Sequence, residues 1–129
     1  MTVRCPYCGH DAALVSGDSI YPQRPDLFDL QFYLCKPCDA YVGCHGNTTK
    51  PKGTPANSEL RNWRKQAHAA FDPLWKGAPR GYRNKAYKWL AGELSIPVTK
   101  CHIGMFDKRT CQRTIQAVHN YTRKNHDTV

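Results

Sequence analysis

The sequence predicts an α+β chain, with an N-terminal ribbon of short antiparallel strands packed on a basic C-terminal part of about three helices. Three observations predict it. Two Cys-x-x-Cys turns stand 26 residues apart, with strand-like segments between them. Further on, apolar residues recur at three- and four-residue steps, the period of one helical face. The charge is segregated as well: residues 1–44 hold three basic and five acidic residues, and residues 45–129 hold sixteen and five. The ribbon is expected over 1–46 and the helical part over 47–129, the two forming one folding unit. A chain of 129 residues suffices for one domain with a small metal-stapled module.

The ribbon is read from Cys5-Pro6-Tyr7-Cys8 and Cys35-Lys36-Pro37-Cys38. A Cys-x-x-Cys turn sets two sulfurs on one side of a metal, and two such turns close a tetrahedron of the kind Zn²⁺ takes. Gly9 follows the first turn, where a positive φ is often needed. AALVSG and LQFYL read as strands, with the turn-rich PQRPDLFD between them. Strand, loop, strand and knuckle make a zinc ribbon. Cys5, Cys8, Cys35 and Cys38 are therefore the expected ligands of one structural Zn²⁺. Four thiolates leave no open position for water, so the site holds structure and does no catalysis. Disulfides are the competing reading. They suit secreted proteins, and MTVRCPYCGH shows no charged segment leading into an apolar one, so a signal peptide is not expected. A cytoplasmic location is.

Cys44, Cys101 and Cys111 remain, beside His45 and His102. A second metal site from these five is chemically feasible, but their separations are irregular. Cys111 also shares an apolar helical face with Ile115 and Val118. Free cysteine usually packs as a small hydrophobe, so core roles are the ordinary reading.

The first helix is expected to start at Thr54 as N-cap, with Pro55 at the first helical position. Its inward face carries Leu60, Trp63, Ala67, Ala70, Phe71 and Leu74. Pro73 bends or ends it. His68 and Asp72 stand one helical turn apart, within reach of a local hydrogen bond. A second helix is expected over about 82–94, with Tyr82, Ala86, Trp89, Leu90 and Leu94 inward and Pro97 closing it. The third begins after Asp107, a good N-cap, and buries Cys111, Ile115 and Val118. From Tyr121 onward the tail is polar and is expected to fray.

Net charge is +9, built from −2 over 1–44 and +11 over 45–129. Segregation of this kind suits a polyanion. Arg61, Arg64, Lys65, Lys76, Arg80, Arg83, Lys85 and Lys88 surround the joint between the first two helices and are the expected nucleic-acid contacts, DNA or RNA. No recognition-helix arrangement is readable, so phosphate contact is favoured over base readout. No apolar run is long enough to span a membrane.

CPYCGHDA, CKPCDAYVGCH, ANSELRNWRKQAHAAFDPLW, KAYKWLAGEL and CHIGMFDKRTC together resemble the small zinc-finger-containing domain family of unknown function found in phages, prophages and bacteria. The resemblance spans roughly residues 4–118. A Pro-Leu-Gly triplet commonly follows the ribbon in that family; here it is Pro51-Lys52-Gly53. The resemblance implies zinc on Cys5, Cys8, Cys35 and Cys38, and no established activity. It also implies a phage or prophage context, and with it a small regulator or inhibitor.

The leading functional reading is a non-enzymatic zinc protein that binds nucleic acid through a basic helical face. The alternative is a phage- or prophage-type regulator that docks on an acidic host protein. A nuclease is a third reading. His45, His68 and His102 favour it, but no acidic cluster is present to hold Mg²⁺. No small-molecule substrate and no membrane partner are expected.

Overall fold

The computed structural model describes residues 2–127. They form two units, Met1–Glu59 and Leu60–Val129. The first holds strands β1 (Ala13–Ser16), β2 (Gln31–Cys35) and β3 (Ala40–Gly43). The second holds helix α2 (Tyr82–Leu94) and helix α3 (Lys108–Asp127), after α1 (Ser58–Phe71), which starts at the unit boundary. No helix among the described residues is long and apolar enough to cross a membrane.

The strands form one antiparallel sheet in the order β1-β2-β3. Ala13 faces Leu34 and Ser16 faces Gln31; Phe32 faces Gly43 and Cys35 faces Ala40. Side chains alternate across a strand, and the central strand β2 uses both faces. On one face Tyr33 packs with Ala12 and Cys44, and Cys35, two residues on, packs with Cys5 and Ala40; Phe32 lies on the other. Phe32 meets Tyr21 and Tyr41 edge to face, with ring centroids 5.8 and 6.2 Å away. The expected strands at AALVSG and LQFYL are present. β3 is an addition, a four-residue strand that follows directly on the second knuckle. Gly17 turns the chain after β1. A Cβ there would collide with the Leu27 carbonyl, so this turn admits no larger residue without backbone movement.

The segment after Gly46 stays with the sheet. Cys44 bridges to Pro51 and Tyr41 bridges to Ala56. The Tyr41 and Ala56 amides exchange hydrogen bonds of 3.1 and 3.0 Å. This pairing corrects the expected start of α1. Thr54 and Pro55 lie in extended chain held against β3, and the helix begins at Ser58. A local capping signal has yielded to a non-local ladder.

In the helical unit Ala67 and Phe71 pack with Tyr87, Leu90, Ala91 and Leu94 of α2, and with Cys111 and Val118 of α3. Cys101, Ile103 and Phe106, from the turns between α2 and α3, complete the core. Trp63 and Trp89 sit at its edge, partly buried. The α2 boundaries are those expected, but its face is rotated. Tyr87 is buried and Tyr82 is exposed, since five residues around a helix are about 140° apart and the face set by Leu90, Ala91 and Leu94 includes Tyr87 alone. Ser95, at φ 56°, ends α2 in the left-handed conformation, its amide donating to the Ala91 and Gly92 carbonyls. The stop therefore precedes Pro97.

Asp107 caps α3 as expected. Its Oδ1 accepts from the Thr110 amide at 2.8 Å and from the Thr110 hydroxyl at 2.7 Å. α3 continues through Tyr121 to Asp127, past the expected fraying point. Tyr121 stacks edge to face on Trp89 at 5.2 Å, which holds the later turns to α2.

Burial pushes the Cys101 and Cys111 thiols up to about 11 from an ordinary value near 9. In the unfolded chain both ionise at the lower value. Stability from these groups is therefore full below pH 9 and is lost as pH rises through 11. The melting temperature followed by helical circular dichroism is expected to fall across that window. The fall should be smaller, though not absent, in a Cys101→Ala/Cys111→Ala variant, because burial raises Tyr87 too. An equal fall in the variant would exclude the thiols as its source.

Candidate metal centre and basic surface

Both Cys-x-x-Cys turns are built alike. In the first, the Cys5 amide donates to the His10 carbonyl at 2.8 Å and the Gly9 amide to the Cys5 carbonyl at 2.9 Å. Gly9 has φ +78°, as expected. The residue in the equivalent place of the second turn is Asp39, at φ 50°. Asp is among the few residues with a side chain that tolerate this region. The amides of Tyr7 and Cys8 donate to the Cys5 sulfur, and the Cys38 amide donates to Cys35. Each knuckle thus turns backbone N–H groups toward its first sulfur.

The sheet brings the two turns together. Cys35 ends β2, and Arg4 pairs with Asp11 beside the first knuckle. The four sulfurs of Cys5, Cys8, Cys35 and Cys38 lie within 4.8 Å of one another. Cys8 Sγ and Cys35 Sγ are 3.6 Å apart, and a tetrahedron with zinc–sulfur bonds of about 2.3 Å has edges of about 3.8 Å. None of the four is in a disulfide. Cys5 and Cys35 are buried, Cys38 is half-buried and Cys8 is exposed.

The thiols do not titrate alike. Burial works to raise Cys5, but the Tyr7 and Cys8 amides, with the Cys35 and Cys8 sulfurs, outweigh it and bring it to about 7. Cys38 is pushed up to about 12, first by the Cys8 thiol against it and then by burial. At Cys35 the Cys38 amide pulls down, and burial with the Cys8 and Cys5 sulfurs prevails upward. Cys5 is readily a thiolate, and Cys35 and Cys38 resist joining it. A divalent cation at the centre makes all four thiolates compatible. Four soft sulfurs at tetrahedral spacing suit Zn²⁺ and fill its coordination, so the centre supplies folding energy and leaves no place for a reacting water.

The zinc-finger-containing domain family DUF3268 matches residues 1–121. This chain belongs to that family. The zinc-finger domain and its four-cysteine cluster together establish this as a zinc-binding protein with one site at Cys5, Cys8, Cys35 and Cys38. No curated protein and no solved structure matches the chain.

The other cysteines of this zinc-finger protein are core residues. Cys44 packs with Ala12 and Tyr33 in the first unit. Cys101 and Cys111 are fully buried in the helical core. Among the described residues, the four-sulfur group is the one cluster of three or more His, Cys, Asp or Glu placed to hold a metal.

The expected nucleic-acid contacts divide. Lys65, Lys76, Arg80, Arg83, Lys85 and Lys88 are exposed, and Arg61 is half-buried. Arg64 is a correction. It is buried, and its Nε donates to the Phe106 carbonyl at 2.9 Å. Its place beside Ala67 and Phe71 on the inward side of α1 makes it an internal brace and removes it from the surface. Asp72 accepts from His68, with both carboxylate oxygens 3.2 Å from Nδ1, the local pairing expected from their spacing.

Protein purified without chelator is expected to carry one zinc per chain by elemental analysis. Cys8→Ser or Cys35→Ser should lose the metal and the ribbon with it, and Cys111→Ala should keep both. Two zincs per chain, or full zinc in Cys35→Ser, would contradict this ligand set.

Proposed function

We propose that this protein is a non-enzymatic, zinc-stabilised module that binds nucleic acid through its phosphates, using the basic face of the helical unit. One observation carries the reading. Residues 73–92 contain five cations, Lys76, Arg80, Arg83, Lys85 and Lys88, and no acid, and all five are exposed. Over the whole unit, fourteen Lys and Arg face four acids. Two of those acids are engaged: Asp72 binds His68, and Asp107 caps α3. Excess positive charge of this density is suited to releasing the counterions of a polyanion. Aromatic rings are interleaved with it. The Arg83 guanidinium lies 5.5 Å from the Trp75 ring, and the Lys85 ammonium 5.2 Å from Tyr82.

Phosphate-dominated binding has a defined signature. Each lost contact should flatten the slope of log K against log[salt] by about one unit. A Lys76→Ala/Arg80→Ala/Lys85→Ala variant is expected to weaken binding to duplex and single-stranded oligonucleotides alike, measured by fluorescence anisotropy across a salt series. Its folding should change by less than about 0.5 kcal/mol per site, as for most surface substitutions. Unchanged affinity in the variant, or loss for one sequence only, would contradict the mechanism. No affinity for any nucleic acid at about 50 mM salt, where such binding is strong, would turn the reading to an acidic host protein docked on the same face.

A further inference from the structure

One hollow within the basic face is more than a charged surface. It has a volume of about 260 Å³ and lies between the first turns of α2 and the turn at Val98–Lys100. Arg83, Asn84, Lys88, Thr99 and His102 line it, with Tyr87 beneath. Two cations and three further hydrogen-bonding side chains therefore converge on one concavity, and no carboxylate lines it. The carboxylate that reaches Tyr87 electrostatically is Asp72, which is bound to His68 and 4.0 Å from Lys76.

The hollow is also preorganised. The Arg83 guanidinium sits between two rings, 5.2 Å from the Tyr87 centroid and 5.5 Å from Trp75. Cation–ring contact fixes its position while leaving its charge unneutralised. The His102 ring leans on Tyr87 at 5.7 Å, and Tyr87 is buried against Phe71, 4.7 Å between centroids. The floor is therefore part of the core and the cations stand at the rim. A guanidinium, an ammonium and further hydrogen-bonding side chains around a small cavity match the oxygens of one phosphate. The volume is below the roughly 300–1,000 Å³ of pockets for drug-sized ligands, so it suits one phosphate and its sugar.

We infer that the hollow formed by Arg83, Asn84, Lys88, Thr99 and His102 is a specific site for a single phosphate ester of a nucleotide. Arg83 and Lys88 neutralise it, and Asn84, Thr99 and His102 orient it. The inference rests on the nucleic-acid reading for the source of that phosphate. The chemistry is shared by a backbone phosphate within a strand and by a free nucleotide.

Titration of ¹⁵N-labelled protein with adenosine 5′-monophosphate, inorganic phosphate and adenosine tests it directly. The first two are expected to shift amides at 83–88 and 98–102, and adenosine to shift none. Arg83→Gln/Lys88→Gln should weaken the monophosphate by roughly 10- to 100-fold, the worth of charge-assisted hydrogen bonds, and should weaken an oligonucleotide as well. Lys88→Gln alone, which leaves the ring contacts of Arg83 intact, should give a smaller loss in the same direction and guards against misfolding of the double variant. Lys76→Ala/Arg80→Ala/Lys85→Ala should leave the monophosphate within about twofold, since none of the three lines the hollow. Monophosphate binding without oligonucleotide binding would uphold the site and overturn the nucleic-acid reading, making the ligand a free nucleotide. Oligonucleotide affinity unchanged in both glutamine variants, or shifts spread over the whole basic face, would overturn the site and leave the broader reading standing.

Discussion

Convergence of four sulfurs is the constraint on which the first unit depends. Its strands are four, five and four residues long, and a sheet of that size buries too little to hold itself. Metal–thiolate bonds supply what the apolar contacts lack. The local architecture serves that end. Gly9 and Asp39 take the same left-handed conformation after their knuckles, and β2 carries Cys35 at its end. The antiparallel pairing of β2 with β3 sets Ala40, fully buried, beside the Cys35 and Cys5 sulfurs. The Tyr33 hydroxyl donates to the Thr49 carbonyl at 2.8 Å, tying the following loop back to the same sheet.

The helical unit is stabilised differently. Phe71, Leu90 and Ile103 are wholly buried, and the core they form needs no metal. Its polar groups are spent on the frame: Arg64 on the Phe106 carbonyl, Arg113 on the Leu94 carbonyl at 3.1 Å, Asp107 on the first turn of α3. Lys76, Arg80, Arg83, Lys85 and Lys88 lie exposed on α2 and the turn before it. Charge and metal are thus allotted to separate units, the acids outnumbering the bases by one in the first and the bases outnumbering the acids by ten in the second.

What the sequence revealed was local. The knuckles were legible because their geometry is fixed within four residues, and Gly9 because its conformation follows from its own place in the turn. The extent of α2 and the Asp107 cap were legible for the same reason. Features set by distant partners were not. Ala56 joins Tyr41 across fifteen residues, and nothing near Thr54 signals that the capping pattern there goes unused. Arg64 reads as a surface cation from its charge, yet its donor meets a carbonyl 42 residues away. Tyr82 and Tyr87 are interchangeable by hydropathy, and only the packing of Phe71 on Tyr87 decides between them. The hollow beside Tyr87 joins α2 to residues 98–102, a juxtaposition no single segment encodes.

Four thiolates, and nothing else, hold one zinc in this protein. X-ray absorption at the zinc edge tests it most directly on the purified chain. The expected spectrum is a single shell of four sulfurs at about 2.3 Å, with no nitrogen or oxygen scatterer at about 2.0–2.1 Å. A shell containing one or more imidazole nitrogens, with sulfur reduced to three or fewer, would contradict it and would bring a neighbouring histidine into the site.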